Sequence, residues 1–186
     1  MRIIRGKFKG KSINFISNLN TRPLKDLVKE NIFNILEHSN LIDVKIDKAN
    51  ILDLYSGIGS FGLECISREA NKVTFIEQDK AVSNILKKNL TLLSIVDEAD
   101  VINNKIENFL LKNKKNKYNI FFLDPPFADK DFVQNLSLIK KNKIYEKKHI
   151  IIIHREKNSK DDINNLINII DSKQYGRSKI IFGLFN

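Results

Sequence analysis

The sequence is 186 residues long, 42% hydrophobic and 29% charged, with one cysteine and a formal net charge of +10. Such proportions exclude a disordered tail and suit one domain, or a domain with a small appendage, burying roughly 70% of its unfolded surface without disulfide or metal staples. The single thiol excludes an intramolecular disulfide, and with no apolar leader or spanning run the expectation is a cytoplasmic protein.

The charge gathers at the amino end, where Arg2, Arg5, Lys7, Lys9, Lys11, Arg22, Lys25 and Lys29 are offset only by Asp26 and Glu30. Clustered Lys and Arg release counterions when they meet phosphates, so this segment is the expected nucleic-acid contact; the plainer reading is solvated surface lysine. Residues 2–5 and 11–15 are short β-like runs about Gly6 and Gly10 and predict a basic hairpin. Leu27, Val28, Ile32, Ile35 and Leu36 recur at helical spacing after Pro23, which predicts a helix over 24–37. Apolar, strand-like runs then follow at 51–55, 73–77, 100–103, 118–123 and 150–154, alternating with helical segments at 59–70, 80–93, 106–112, 130–140 and 161–170. Residues 112–117 (KNKKNK) read as a surface loop, and Tyr175-Gly176 before 179–185 predicts a closing hairpin at one edge. The alternation predicts an α/β fold, a parallel sheet with helices on both faces, preceded by the hairpin and helix. The expected division is a basic extension over 1–40 and a main domain over 41–186.

Asp53-Leu54-Tyr55-Ser56-Gly57-Ile58-Gly59-Ser60-Phe61-Gly62 joins the first of these strands to its helix. Glycines there permit a sharp turn and close approach to a ligand, and Gly57 to Gly62 satisfies the dinucleotide spacing G-x-G-x-x-G. Glu77, closing the next strand, can accept ribose hydroxyls. Asp53 tells against a dinucleotide, because a carboxylate beside a pyrophosphate repels it, whereas the sulfonium and ammonium of S-adenosylmethionine would be attracted. A glycine turn with no ligand is the bland alternative.

Asp124-Pro125-Pro126-Phe127 follows the apolar run at 120–123. Two prolines cannot continue a central strand, so this strand stops in a rigid turn at the ligand-binding edge of the sheet. The Asp124 carboxylate and the Pro125 carbonyl can each accept a hydrogen bond from an exocyclic amine while Phe127 stacks on the base. Both bonds would draw the nitrogen lone pair out of conjugation and aim it at a methyl group. Alone, such a motif is more often an ordinary proline turn.

Together these residues resemble the class I S-adenosylmethionine-dependent methyltransferases. The stretches Arg2 to Lys11 (RIIRGKFKGK), Thr21-Arg22-Pro23, Val28-Lys29-Glu30, Ile32-Phe33-Asn34, Leu63-Glu64 and Ser67-Arg68-Glu69-Ala70 resemble the RsmD family, whose members methylate the guanine exocyclic amine in small-subunit (16S) ribosomal RNA. That resemblance runs to about residue 127 and implies a Rossmann-like, seven-stranded, mostly parallel sheet with an antiparallel last strand. It implies catalytic residues Asp124, Pro125, Pro126 and Phe127, and cofactor contacts at Asp53, Tyr55, Gly57, Gly59, Glu77, Gln78, Lys105 and Ile106. The implied RNA contacts are Arg2, Arg5, Lys7, Lys9, Lys11 and Arg22. The implied partner is 16S ribosomal RNA, free or in an assembling small subunit, bound by a monomer.

Several positions depart from the family pattern: Leu24-Lys25 after Arg22-Pro23, Ile58 in the glycine loop, and Asn103-Asn104-Lys105-Ile106 where an Asp-Ala pair commonly meets adenine. Backbone groups of Lys105 and Ile106 are the expected substitutes there. His154 reads as a surface or packing residue, Cys65 as buried, and His38, His149 and His154 are too scattered for a zinc site. Three other classes remain: a DNA or other RNA amino-methyltransferase acting on adenine or cytosine, a NAD-dependent oxidoreductase, and a non-catalytic RNA-binding module.

Overall fold

The computed structural model describes residues 1–15, 24–113, 115–126, 128–129 and 131–186. Seven strands and five helices follow the opening segment: α1 (Asp26–His38), β1 (Asn50–Leu54), α2 (Ser60–Ser67), β2 (Lys72–Ile76), α3 (Lys80–Leu93), β3 (Ala99–Ile102), α4 (Ile106–Lys112), β4 (Tyr118–Leu123), α5 (Asp131–Asn142), β5 (Tyr145–Glu156), β6 (Ile167–Tyr175) and β7 (Ser178–Phe185). The sheet runs β3-β2-β1-β4-β5-β7-β6. β1 to β5 pair in parallel and β7 lies antiparallel between β5 and β6, as the resemblance implied.

Strand side chains alternate, and in the centre both faces are apolar. Ile51, Ile120, Phe122, Ile150 and Ile152 pack on one face with α1, α2 and α3. Leu52, Leu54, Phe121, Leu123, Ile151 and Ile153 pack on the other with α4 and α5. A stack of Phe33, Phe61 and Phe122, with centroids 5.1 and 4.1 Å apart, ties α1 and α2 to β4. Cys65 is buried, as expected.

One predicted helix is not formed. Ile163, Leu166, Ile167 and Ile170 have helical spacing, yet 161–170 makes a single turn, in which Leu166 and Ile167 donate to Ile163 O, and then enters β6. The Asn164-Asn165 pair is poor in helix propensity, while the β-branched isoleucines gain partners on β7. The last crossover therefore lacks a helix, and the closing hairpin is longer than predicted. The amino-terminal hairpin is also slighter than two strands: one bridge joins Arg2 to Ser12, and Gly6 and Gly10 both turn with φ +82°.

Hydrogen bonds seat this segment on α2. Glu64 is fully buried and accepts from the backbone N–H groups of Ile4 and Arg5, while its carboxylate lies 3.6 Å from Lys29 Nζ and 3.0 Å from Arg68 Nη2. Lys29 Nζ also donates to Arg2 O, and burial pushes its pKa down against the pull of Glu64 and Asp26. Ser67, ending α2, accepts from Lys7 N at its carbonyl and from Phe8 N at its hydroxyl. A Cβ on Gly6 would collide with the Ser67 carbonyl. Because α2 starts at the carboxyl edge of the sheet, its last residue places the basic turn at the opposite edge, where Lys7 pairs with Glu98 just ahead of β3.

Candidate active site

A cleft of about 1420 Å³ opens along the carboxyl ends of β1, β2, β3, β4 and β5. Among the described residues, acidic side chains outnumber Lys and Arg in its lining by seven to three, against the chain's overall charge, so these residues favour a cationic ligand.

The glycine loop forms one wall. Gly57 and Gly59 hold left-handed φ values of +55° and +88°, and a Cβ on Gly59 or Gly62 would collide with Leu86 or Phe75. Glu77 braces the loop by accepting from Gly57 N at 2.9 Å, and its other oxygen accepts from Asp79 N at 2.7 Å. Each carboxylate oxygen keeps a lone pair for a hydroxyl. Burial raises the Glu77 pKa, opposed by these N–H donors. Tyr55 takes φ +69°, a conformation that is strained for an aromatic residue, and its hydroxyl accepts from Asn135 Nδ2 on α5 at 3.1 Å.

Asp53 is buried beneath this loop. Its Oδ2 accepts from Gly62 N at 3.1 Å, but Oδ1 has no partner among the described residues, nor does Ser60 Oγ. Both residues line the cleft. Burial pushes the Asp53 carboxyl well above the ordinary carboxylate range, and the charges of Asp124 and Glu77 push it the same way. An unsatisfied buried carboxylate is costly without a ligand, and an ammonium is the partner it lacks. The residues present therefore fit the cationic methionine end of S-adenosylmethionine.

The opposite wall is the turn after β4. Asp124 Oδ1 lies 2.8 Å from His154 Nδ1, and Pro125 is buried. Arg155 donates to Pro126 O at 3.1 Å and Asp129 O at 3.3 Å, makes a two-pronged pair with Asp161 and stacks on Phe132 at 4.5 Å. His154 is thus no surface residue, nor does it merely fill space, as its sequence position suggested: it is 9% exposed, lines the cleft and bridges Asp124 to Ser178. Sequence reasoning also passed over Asn135 and Ser178, and noted Asn103 only as a departure from the family pattern; its Nδ2 donates to the Glu77 and Gln78 carbonyls. Phe127 lies outside the described residues.

Gln78, Lys105 and Ile106 line the cleft. The Lys105 N–H donates to Asn104 Oδ1, which takes up one of the backbone groups expected to meet adenine. Among the expected RNA contacts, Arg2, Arg5 and Lys9 surround a separate hollow of about 380 Å³, Lys7 pairs with Glu98, Lys11 is exposed, and Arg22 lies outside the described residues. Among the described residues, the lysines and arginines lining the cleft itself are Lys25, Lys105 and Arg177.

The fold and the site define a class I methyltransferase dependent on S-adenosylmethionine. The family model described as Conserved hypothetical protein 95 matches residues 1–183. Ribosomal RNA small subunit methyltransferase D of Haemophilus influenzae is 39% identical over 160 residues, covering 84% of this chain and 79% of its own. The protein of that name from Buchnera aphidicola (subsp. Baizongia pistaciae) is 34% identical and covers 100% and 91%. The solved structure of yhhF from Escherichia coli superposes with a TM-score of 0.85 at 29% identity, over 100% of this chain and 98% of that one. The chain belongs to this family, the RsmD family that its motifs resemble.

Because the folded Asp53 pKa is raised, the unliganded protein is favoured with this group protonated, and that contribution is lost as pH rises through the folded pKa. An ammonium ligand needs the ionised form, so S-adenosylmethionine binding below that pKa should release a proton. Calorimetry in buffers of different ionisation enthalpy should detect it, and Asp53→Asn should abolish the release and weaken binding about ten-fold or more. Buffer-independent heats in the parent protein would refute this role.

Proposed function

We propose that this protein transfers a methyl group from S-adenosylmethionine to the exocyclic amine (N2) of a guanine in 16S ribosomal RNA, acting in the cytoplasm as a monomer. The observation that carries the reading is that Asp124 and Pro125, just after β4, line an acid-rich cleft beside the glycine loop. The names of the Haemophilus and Buchnera relatives support the ribosomal substrate. The cofactor supplies an electrophilic methyl on a sulfonium, and Asp53, Glu77 and the glycine loop hold it.

The remaining work falls to Asp124. Its Oδ1 already has one contact with His154, so Oδ2 is the less engaged oxygen to accept an amine N–H, with the Pro125 carbonyl accepting the other. These bonds strengthen as positive charge develops on the nitrogen, which is where rate is gained. As the N–C bond replaces the methyl–sulfur bond, whose electron pair would stay on sulfur, the departing N–H proton passes to Asp124 directly or through water. A paired base cannot reach this cleft, so the target is unstacked from a loop or bulge.

We assign residues 1–40 to RNA contact and 41–186 to catalysis. Replacing Arg2, Arg5, Lys7 and Lys9 by glutamate should abolish RNA binding and leave cofactor affinity intact. The pairs this breaks, Arg5 with Glu37 and Lys7 with Glu98, are exposed and contribute little to stability. Unchanged RNA methylation by that variant at moderate salt would exclude the hairpin from substrate binding. The overall reading is tested by single-turnover transfer of labelled methyl to 16S RNA, free and in small-subunit particles, followed by nucleoside analysis. Label on guanine N2 is expected; label on adenine, cytosine, DNA or protein overturns it.

A further inference from the structure

The loop that carries Asp124 is gripped by two neighbouring residues of β5, which reach it from opposite faces of the sheet. Leu123 pairs with Ile153 in the parallel ladder, so the residues that follow, Asp124 and His154, emerge side by side on the face shared with Phe122 and Ile152. Arg155 emerges on the other face, against Phe132.

These two grips fix different things. Arg155 holds backbone: it donates to the carbonyls of Pro126 and Asp129 and is anchored by both carboxylate oxygens of Asp161. Its guanidinium is almost fully buried, at 3% exposure. With Pro125 and Pro126 restricting the chain as well, the backbone at Pro126 and Asp129 is held without any help from His154. The torsions of the Asp124 side chain are not set by it. That carboxylate stands at the cleft with 21% of its side chain exposed, free to rotate toward water unless something holds it.

His154 is the group in place to do so. An ionised carboxylate only accepts, so Nδ1, 2.8 Å from Asp124 Oδ1, carries the proton and donates. On the far side of the ring Nε2 lies 2.9 Å from Ser178 Oγ, at the start of β7. The imidazole is therefore held at both nitrogens, and a ring held at both ends constrains a carboxylate better than a free one does.

We propose that His154, itself held by Ser178, is a positioning residue for methyl transfer: it locks the Asp124 carboxylate so that Oδ2 points at the amine. This inference rests on the reading of Asp124 given above. It assigns a function to the antiparallel insertion of β7, which brings Ser178 to the site.

The test is a cycle of variants assayed by single-turnover transfer with saturating cofactor and RNA. His154→Ala should lower the transfer rate about ten-fold or more, since a misaligned contact of this kind costs one to two orders of magnitude, while the dissociation constants for S-adenosylmethionine and RNA stay unchanged. His154→Asn, whose amide nitrogen can occupy the place of Nδ1, should recover most of that rate. Ser178→Ala should give a smaller loss. In an Asp124→Ala background, His154→Ala should add nothing, because the group it orients is gone. A purely structural histidine would instead show equal losses in both backgrounds and no rescue by asparagine, and that outcome overturns the proposal. Wild-type rate in His154→Ala overturns it too. Full activity in Asp124→Ala alone would overturn the reading of Asp124 itself, so the two failures are told apart.

Discussion

Asp124→Ala should bind S-adenosylmethionine and RNA almost as the parent protein does and lose methyl transfer by about a hundred-fold or more, the scale seen when one preorganised electrostatic partner is removed. A guanine amine is barely basic, so the ground state gains little from a carboxylate. The gain comes as charge develops on nitrogen in a cleft whose acids Asp53 and Glu77 are already desolvated. Truncation removes both the Oδ2 acceptor and the destination of the proton. Asp124→Asn should be milder, since its amide oxygen still accepts a hydrogen bond. Rapid-quench measurement of labelled methyl transfer decides the matter: alanine and parent proteins with equal single-turnover rates would remove Asp124 from the mechanism.

The second large effect is on stability. Glu64→Ala should cost about 3–5 kcal/mol, the range for breaking a buried charge pair from one side. The alanine leaves Lys29, wholly buried, without its counter-ion and leaves the N–H groups of Ile4 and Arg5 without their acceptor. Arg68 loses one partner but keeps Glu37. Urea unfolding monitored by circular dichroism should show the drop. Replacing Lys29 and Glu64 together by methionine should cost less than Glu64→Ala, because the uncompensated charge is then gone. A loss under about 1 kcal/mol for Glu64→Ala would mean that water reaches the cluster.

The central strands and most crossover helices were legible because their patterns are local. Helices α3 and α4 and strand β4 follow the predicted bounds, since apolar periodicity and short polar breaks define them within one stretch of chain. β5 was read short at 150–154 because Tyr145 to Lys148 are half-exposed or exposed and lack the apolar run of the rest. The segment 161–170 misled because isoleucines at helical spacing satisfy a strand equally well once β7 offers hydrogen bonds, and that offer comes from residues later in the chain.

Within the site, Asp53, Glu77 and Asp124 carried motif signals, and the structure gathers all three along one cleft. His154 had none: its meaning lies in a register that sets it beside a residue 30 positions earlier. Glu64 stood in a recognisable motif, yet its burial and its hold on residues 4 and 5 come from tertiary packing alone.

If the basic turn meets RNA as proposed, its attachment to Ser67 sets the length of RNA this enzyme needs. α2 spans eight residues, about 12 Å, and separates the glycine loop from the tip of the turn, so no single nucleotide touches both. A trinucleotide centred on the target guanine would fill the cleft and leave Arg5, Lys7 and Lys9 in water; it would be a poor substrate with a shallow salt dependence. Lengthening the strand should bring little until it wraps the edge of the sheet, then raise affinity abruptly and steepen the salt slope by about one unit per phosphate newly engaged. On the proposed reading the protein would measure its substrate as a caliper does, with the methylated base at one jaw and a distant stretch of backbone at the other.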